Sequence, residues 1–181
     1  MTQSIIKISK SDHMIAKLSA IAVALAIIDF FIPSPIPGVK PGIANIIILF
    51  TIYKYNFITG VWVSLLRVLV ASMILGTFLG PTFFLSLMGA VMSLLSMYFL
   101  KDINKAFMSV IGLSVVSSSA HVLGQFLVVR LWIIPHDGIL YLLPLFLLSS
   151  LIFGVVNGLI VENLLARKLN GQSFFNDKID G

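Results

Sequence analysis

Two ionisable side chains lie inside long apolar stretches of this sequence, and they are the first residues that could do chemistry. Arg67 is near the middle of one stretch, and His121 and Gln125 lie within another. Ionisable groups at bilayer depth are costly, and they normally face a bundle interior, a cavity or one another. The pattern therefore predicts a small polar site inside a membrane bundle.

A polar stripe accompanies His121 along the same stretch. Its members recur at three- and four-residue steps and so share one face of a helix: Ser114, Ser117 or Ser118, His121 and Gln125. Serines in membrane bundles more often hydrogen-bond a neighbouring helix than a ligand, and we interpret these serines in that way. For His121 with Gln125, the pattern favours a ligand-facing surface.

Arg67 needs a partner that its apolar surroundings do not supply. A buried Arg binds a carboxylate, a phosphate or a set of carbonyl groups. The acids within apolar stretches are Asp29, near the outer end of the first, and Glu162, near the inner end of the last. Neither is expected at the depth of Arg67. An anionic ligand would fit this position, and backbone carbonyls at a broken helix end are the alternative.

Small residues indicate where helices approach closely. Gly154 and Gly158 have the Gly-x-x-x-Gly spacing that favours helix packing, and Asn157 beside them is either a ligand contact or an interhelical hydrogen-bonding group. Small residues also form one face within the first apolar stretch: Ala16, Ala20 and Ala24. A helix of this chain or of a partner subunit could dock on that face.

The composition is that of an integral membrane protein. Of the 181 residues, 59% are hydrophobic and only 10% are charged, whereas a soluble domain has about 25% charged residues. The net charge of +5 is better explained by basic cytoplasmic loops than by nucleic-acid binding. The chain has no cysteine, which excludes disulfides, thiolate metal ligands and a cysteine nucleophile.

Six apolar stretches are candidate membrane spans, at about residues 14–32, 43–53, 57–79, 83–100, 106–134 and 139–165. The prediction is an all-α, six-transmembrane-helix bundle over residues 14–168, between an N-terminal segment, 1–13, and a polar tail, 169–181. A perpendicular crossing takes about 20 residues, so the second stretch is short. Either it begins within the Pro/Gly-rich loop 33–42, or the bilayer thins there, or its boundary is misplaced. Short spans often border binding sites in transporters.

Basic residues predict the orientation in the cell membrane. With the N-terminus inside, the outer loops contain only Lys40, and the inner segments contain the basic residues Lys7, Lys10, Lys17, Lys54, Lys101, Lys105, Arg167, Lys168 and Lys178. Cytoplasmic loops are enriched in Lys and Arg. Both termini are therefore expected in the cytoplasm, in agreement with an even number of spans.

Several catalytic motifs are absent from the sequence. It has no Gly-x-x-x-x-Gly-Lys phosphate-binding loop and no Gly-x-Ser-x-Gly nucleophile elbow. Its acids are scattered, without the Asp-rich cluster that would hold magnesium against a diphosphate. We therefore expect neither an enzyme nor a resident cofactor, and at most an accessory subunit.

Four motifs in order resemble a known family. They are IPGVKPGIANI at 36–46, SLLRVL at 64–69, LGPTFFLSLMG at 79–89 and SAHVLGQ at 119–125. Together they resemble the membrane proteins called Gx transporters or heptaprenyl diphosphate synthase component I, over about residues 14–168. That family is similar in size and topology to the substrate-binding S components of energy-coupling factor (ECF) transporters.

The resemblance implies a site, partners and a metabolic context. S components dock a transmembrane coupling subunit through small residues of the first helix, a role that would fall to Ala16, Ala20 and Ala24. The site would open outward beneath a Pro/Gly lid and take an anionic ligand, with these lining residues: Lys40, Asn45, Arg67, His121, Gln125 and Asn157. The implied context is polyprenyl diphosphate and quinone biosynthesis and flavin-based extracellular electron transfer.

Three functional hypotheses follow from these observations. The first is a binding and transport subunit that depends on ATPases of an ECF-type complex. The second is a non-catalytic membrane accessory subunit that associates with a prenyl diphosphate synthase. The third is a membrane partner in extracellular electron transfer, with an indirect role because the sequence has no haem or iron–sulfur ligation pattern.

Overall fold

The computed structural model describes residues 10–32, 42–100 and 109–169, and helices make up nearly all of these ranges. The six α-helices are α1 (Lys10–Phe31), α2 (Ala44–Lys54), α3 (Phe57–Ile74), α4 (Pro81–Leu100), α5 (Val110–Val128) and α6 (Leu143–Leu169). A π-helical turn, Val129–Ile133, extends α5, and a 3-10 helix, Asp137–Leu142, precedes α6. No strand occurs in the described ranges, so the prediction of an all-α protein is confirmed there.

The outer surface of the bundle is apolar. Within the described ranges, five helical segments are long and apolar enough to cross a membrane, and the apolar helix α2 is shorter than that. Large hydrophobic side chains cover their outward faces, among them Phe99 and Leu131, which are 72% and 73% exposed. In water such a surface would need to be covered, whereas in a bilayer lipid covers it. The chain is therefore a multi-pass membrane protein.

The short second helix reaches only about half-way across the bilayer. The 11 residues of α2 extend about 16 Å, against a hydrocarbon core of about 30 Å. Its last residue, Lys54, is close in sequence to the first residue of α3, Phe57, so the two helices meet near one membrane face. The N-terminal end of α2 therefore lies near mid-depth, inside the bundle.

Local backbone geometry explains where helices end. The third span was predicted to continue to Leu79, but α3 ends at Ile74. Gly76 follows with φ +67°, and Leu79 itself has φ 59°, a left-handed conformation that an α-helix does not accommodate. At the other end, the side chain of Asn56 accepts a hydrogen bond from Thr59 N at 2.7 Å and caps α3.

The helices form a closed ring in which each contacts the next, in the order α1, α3, α4, α5, α6, α2. One half of the ring, which we call the packed half, has a continuous apolar core. Its fully buried side chains come from two of the three core clusters and include Ala22, Leu49, Val63, Met97, Leu113 and Val161. The opposite half encloses a cavity, and we call it the cavity half.

Glycines bring α5 and α6 close together. A Cβ added at Gly158 would lie 2.7 Å from Ile111 Cα, and one at Gly154 would lie 2.8 Å from Val115 Cα. Both distances are to backbone atoms, which cannot move aside without opening the interface. The interpretation of this Gly-x-x-x-Gly pair as a packing motif is therefore confirmed.

Candidate ligand-binding cavity

A cavity of about 490 Å³ lies in the cavity half. It is bordered by the last turns of α1, α3 and α5 and by the first turns of α2, α4 and α6, which meet because helices that follow one another in the chain run in opposite directions. Each long helix contributes one face. On α5 and its π-helical extension the lining positions are Ser118, His121, Val122, Gln125, Phe126 and Val129. A volume of this size is typical of a site for one small organic ligand.

Arg67 is the charged centre of the cavity wall. Its side chain is only 7% exposed, and Nη1 donates a hydrogen bond to Asn45 Oδ1 at 3.1 Å. This is the one hydrogen bond of its guanidinium group within the described part of the chain. An Arg side chain has five N–H donors in a fixed fork. Most of its donor capacity is therefore left for a group within the cavity.

The buried start of α2 forms the neighbouring wall. Gly42 N donates to Asp29 Oδ2 at 3.1 Å, and Gly42 O accepts from Asn157 Nδ2 at 3.4 Å. Gly42 has φ +64°, a conformation that glycine adopts readily. These bonds from α1 and α6 anchor the beginning of α2 next to Asn45. The helix start adds a partial positive charge to the wall that already contains Arg67.

His121 and Gln125 face each other one turn apart on α5. Gln125 Nε2 and His121 Nε2 are 3.3 Å apart. His121 Nδ1 is buried and has no hydrogen-bond partner among the described residues. The ring lies against Gly89 of α4, where an added Cβ would be 2.6 Å from Nε2. Arg67 acts electrostatically on the His121 ring, so these two intramembrane groups share one site.

The structure separates the polar stripe of α5 into two groups. Ser114 and Ser117 are buried, and Ser117 Oγ donates to Ser114 O within the helix. Ser118, His121 and Gln125 line the cavity. Ser119 forms an interhelical contact instead, with its Oγ 3.2 Å from Ser150 Oγ of α6. Hydrogen bonding between helices therefore involves a serine one position beyond the predicted stripe.

Four of the six predicted ligand contacts lie together. Asn45, Arg67, His121 and Gln125 all line the cavity. Asn157 is buried beneath it and contacts Gly42 rather than the cavity itself. Lys40 lies outside the described residues. On the opposite side of α1, the three predicted docking residues Ala16, Ala20 and Ala24 are exposed.

A family model matches most of the chain. The model is that of heptaprenyl diphosphate synthase component I, and it matches residues 18–164. The chain belongs to this family. The resemblance read from the four sequence motifs is thereby confirmed. Neither the curated proteins nor the solved structures contain a match to the chain.

The component I match includes every residue that lines the cavity. Ala16 of the predicted docking face lies just outside the matched range, whereas Ala20 and Ala24 lie within it. The family-wide sequence pattern thus extends over the helices that build the cavity.

Several cavity residues of this component I chain were missed by sequence reasoning. Asp29 was expected too near the outer end for an easy pair with Arg67, yet it lines the same cavity and acts electrostatically on Arg67. Its contact with α2 depends on the mid-depth start of that helix. The α6 wall was also missed, although its lining residues recur at three- and four-residue steps: Leu142, Phe146, Ser149, Ser150 and Phe153.

The cavity of this component I protein combines cationic and amide groups. Arg67 and the start of α2 supply positive charge, and Asn45 and Gln125 supply amide groups. The described ranges contain no group of three or more His, Asp or Glu side chains that could hold a metal ion. Buried donors around a low-dielectric cavity bind charge more strongly than the same groups in water.

Proposed function

We propose that this protein is a non-catalytic membrane subunit that binds a small anionic molecule in the bundle cavity, in the manner of an S component. The observation that carries the proposal is the guanidinium group of Arg67. It is buried, it borders the cavity, and Asn45 is its hydrogen-bond partner in the described ranges.

The energetic argument concerns the cost of keeping Arg67. An ionised side chain at bilayer depth is expensive unless its charge and its donors are satisfied. Asp29 offsets part of the charge, but its Oδ2 accepts from Gly42 N, and Arg67 donates to an uncharged amide. A bound carboxylate or phosphate would accept two parallel hydrogen bonds from the other N–H groups of the Arg67 guanidinium. Ligand binding therefore supplies a reason for an otherwise costly residue.

A transport role for the bound anion belongs to the same proposal. The distribution of basic residues favours an orientation with the cavity half toward the outside, and the predicted contact Lys40 lies outside the described residues. The exposed small-residue face of α1, with Ala16, Ala20 and Ala24, would dock an ECF-type coupling subunit whose ATPases drive release. The quinone and extracellular electron-transfer context implied by the resemblance makes a cofactor precursor the kind of cargo we expect.

The second candidate is an accessory role in prenyl diphosphate synthesis, and family membership favours it. The family description names a component of heptaprenyl diphosphate synthase. In this role the chain would hold a catalytic subunit at the membrane and would offer its cavity to an anionic intermediate. The two candidates share the anion site and differ in the partner.

Native mass spectrometry of the protein, extracted gently from its own host membranes, separates these candidates. Co-purification of a coupling subunit with ATPases supports the transport role. Co-purification of a prenyl diphosphate synthase supports the accessory role. A bound small anion in either complex supports the shared site, and its mass identifies the ligand.

The binding site itself is tested by a matched pair of substitutions. Arg67→Gln removes the cavity cation, and Arg130→Gln is the control, since Arg130 lies outside the cavity and pairs with Asp137. We expect R67Q and a His121→Leu variant to lose the bound anion and R130Q to retain it. Retention of the anion by both cavity variants would refute the proposed site.

A further inference from the structure

The depth of the charged groups can be read from the helices that bear them. On α3, Arg67 precedes the rim residue Leu75 by eight positions, and on α5, His121 precedes the rim residue Val129 by the same number. At about 1.5 Å per residue, both side chains lie about 12 Å below the rim. The cation and the imidazole therefore belong to the floor of the cavity.

The upper wall is apolar by contrast. Phe83, Phe126, Leu142 and Phe146 line it, and the rings of Phe126 and Phe146 meet edge to face at 5.2 Å between centroids. Thr77 and Thr82 add hydroxyl groups near the rim. Gln125 and Ser86 add polar groups between the rim and the floor. The aromatic and aliphatic part of the wall can bind an apolar body.

Two of the serine hydroxyls between floor and rim bond within their own helices. Ser72 Oγ donates to Leu69 O at 2.8 Å, and Ser149 Oγ donates to Leu145 O at 3.0 Å. Both hydroxyls are thus used within their own helices. Arg67 and His121 lie at the floor, whereas the aromatic rings of Phe83, Phe126 and Phe146 lie nearer the rim.

We infer that the ligand is a short amphipathic anion, bound head-first, with its acidic group on Arg67 at the floor and its apolar body between Phe126 and Phe146. This inference rests on the proposed anion-binding function and specifies its ligand class and orientation. The distance from floor to rim limits the apolar body to about 12 Å. An extended heptaprenyl chain would project far beyond the rim.

The same geometry distinguishes a soluble amphiphile from a membrane phospholipid. A phospholipid keeps its phosphate in the interfacial layer, outside the hydrocarbon core. The inferred ligand places its anionic group at mid-depth and its apolar part toward the rim. That order is the reverse of the order in a lipid leaflet, so the ligand enters from the aqueous side.

Calorimetric titration of the protein in lipid nanodiscs tests the ligand class. The probes are 2-naphthyl phosphate, which has both parts, 2-naphthol, which lacks the anion, and inorganic phosphate, which lacks the apolar body. We expect 2-naphthyl phosphate to bind at least about tenfold more tightly than either fragment, because hydrogen bonds to a charged group and apolar burial both contribute. Equal affinity for inorganic phosphate would overturn the apolar half of the inference.

Two cavity variants test whether the phosphate binds at the floor and the naphthyl ring binds at the apolar wall. R67Q should weaken 2-naphthyl phosphate at least about tenfold and leave 2-naphthol unchanged. Phe146→Ala should weaken 2-naphthyl phosphate and leave inorganic phosphate unchanged, while R130Q should match the unsubstituted protein. Equal loss of all three probes in both variants would mean that the two walls do not bind separate parts.

Photolabelling of the unsubstituted protein tests the orientation without any risk of misfolding. The probe is an aryl phosphate with a diazirine at the end opposite to the phosphate. We expect peptide mapping to find the label near the rim, at Leu75, Val129 or Leu142. Labels at Ser118 or Phe153, which lie at the floor, would reverse the orientation and overturn the inference.

Two further results of the titration are informative: the effect of lipid composition on affinity, and a complete absence of binding. Affinity for 2-naphthyl phosphate should be equal in phosphatidylcholine and phosphatidylglycerol nanodiscs, and competition by the anionic lipid would show that a lipid headgroup occupies the floor. If no probe binds saturably, the proposed anion-binding function itself fails. Saturable binding that does not depend on Arg67 refutes the inferred orientation and leaves a binding function in place.

Discussion

The two halves of the bundle use the same six helices in different ways. In the packed half, side chains such as Leu49, Met97 and Val161 are at most 1% exposed and fill the space between helices. In the cavity half, the five long helices and the start of α2 surround a cavity of about 490 Å³. The polar groups differ accordingly: Thr51 in the packed half bonds to its own helix at Ile47 O, whereas Arg67 in the cavity half faces the cavity.

This difference follows from where α2 begins. In the packed half, α2 lies against α1, α3 and α6 and completes the core. Above its mid-depth start no described helix takes its place, and the cavity occupies that volume. The bundle therefore consists of a packed half and a cavity half, and substitutions should affect stability in the packed half and ligand binding in the cavity half.

The largest effect on stability is expected from Leu49→Ala in the packed half. Leu49 is 1% exposed at the centre of the α2, α4, α5 and α6 contact. Its truncation removes packing contacts and leaves a void, at a cost of about 2–5 kcal/mol in a well-packed core. Thermal unfolding in detergent measures the loss. The matched control is Leu148→Ala at a 56% exposed position, and an equal loss there would contradict the packing described for this half.

The next largest effect is expected from Gly158→Ala, also in the packed half. The new methyl group would lie 2.7 Å from Ile111 Cα. Because the obstacle is backbone, α5 and α6 would have to separate, at a cost of about 1–3 kcal/mol for an overpacked interface. Thermal unfolding again provides the measurement. An unchanged melting temperature would mean that the two helices do not approach as closely as described.

In each half of the bundle, some features could be predicted from the sequence. Arg67, His121 and Gln125 were recognised because ionisable and amide groups stand out in apolar segments, and the structure brings them to one cavity. The Gly154–Gly158 packing motif was recognised by its spacing. In both cases the residue type or the spacing within a single helix was enough to recognise the feature.

The features that escaped sequence reasoning depend on contacts between distant segments. Asp29 reaches Gly42 only because α2 starts at mid-depth, a depth set by the tertiary arrangement rather than by hydropathy. Phe126 and Phe146 resemble any lipid-facing aromatic residues in the sequence, and only the fold brings them to one wall. The end of α3 at Ile74 depends on the left-handed turn that follows it.

A smaller effect is expected from Gly89→Ala, the same substitution placed at the cavity floor. Here the new methyl group would lie 2.6 Å from Nε2 of His121, a side-chain atom that can rotate into open volume. We expect a stability loss below about 1 kcal/mol, combined with a clear change in affinity for 2-naphthyl phosphate. A melting temperature lowered as far as in G158A would show that His121 is fixed in place.

The smallest effect is expected at the hydrogen bond between Ser119 and Ser150, on the border of the two halves. Ser150 Oγ donates to Leu147 O at 2.8 Å, so its single proton is used and Ser119 must be the donor in the 3.2 Å contact between the two hydroxyls. A double-mutant cycle with Ser119→Ala and Ser150→Ala should give a coupling of about 0.6 kcal/mol, as for other hydrogen bonds between membrane helices.

The direction of the donor makes the two single substitutions unequal. S119A leaves the hydroxyl of Ser150 bonded to Leu147 O, whereas S150A leaves the hydroxyl of Ser119 without its acceptor. Since an unsatisfied polar group in an apolar setting costs more than a lost hydrogen bond, S150A should lower the melting temperature more than S119A. Equal losses would indicate that Ser119 bonds elsewhere and that the α5–α6 contact depends on the glycines alone.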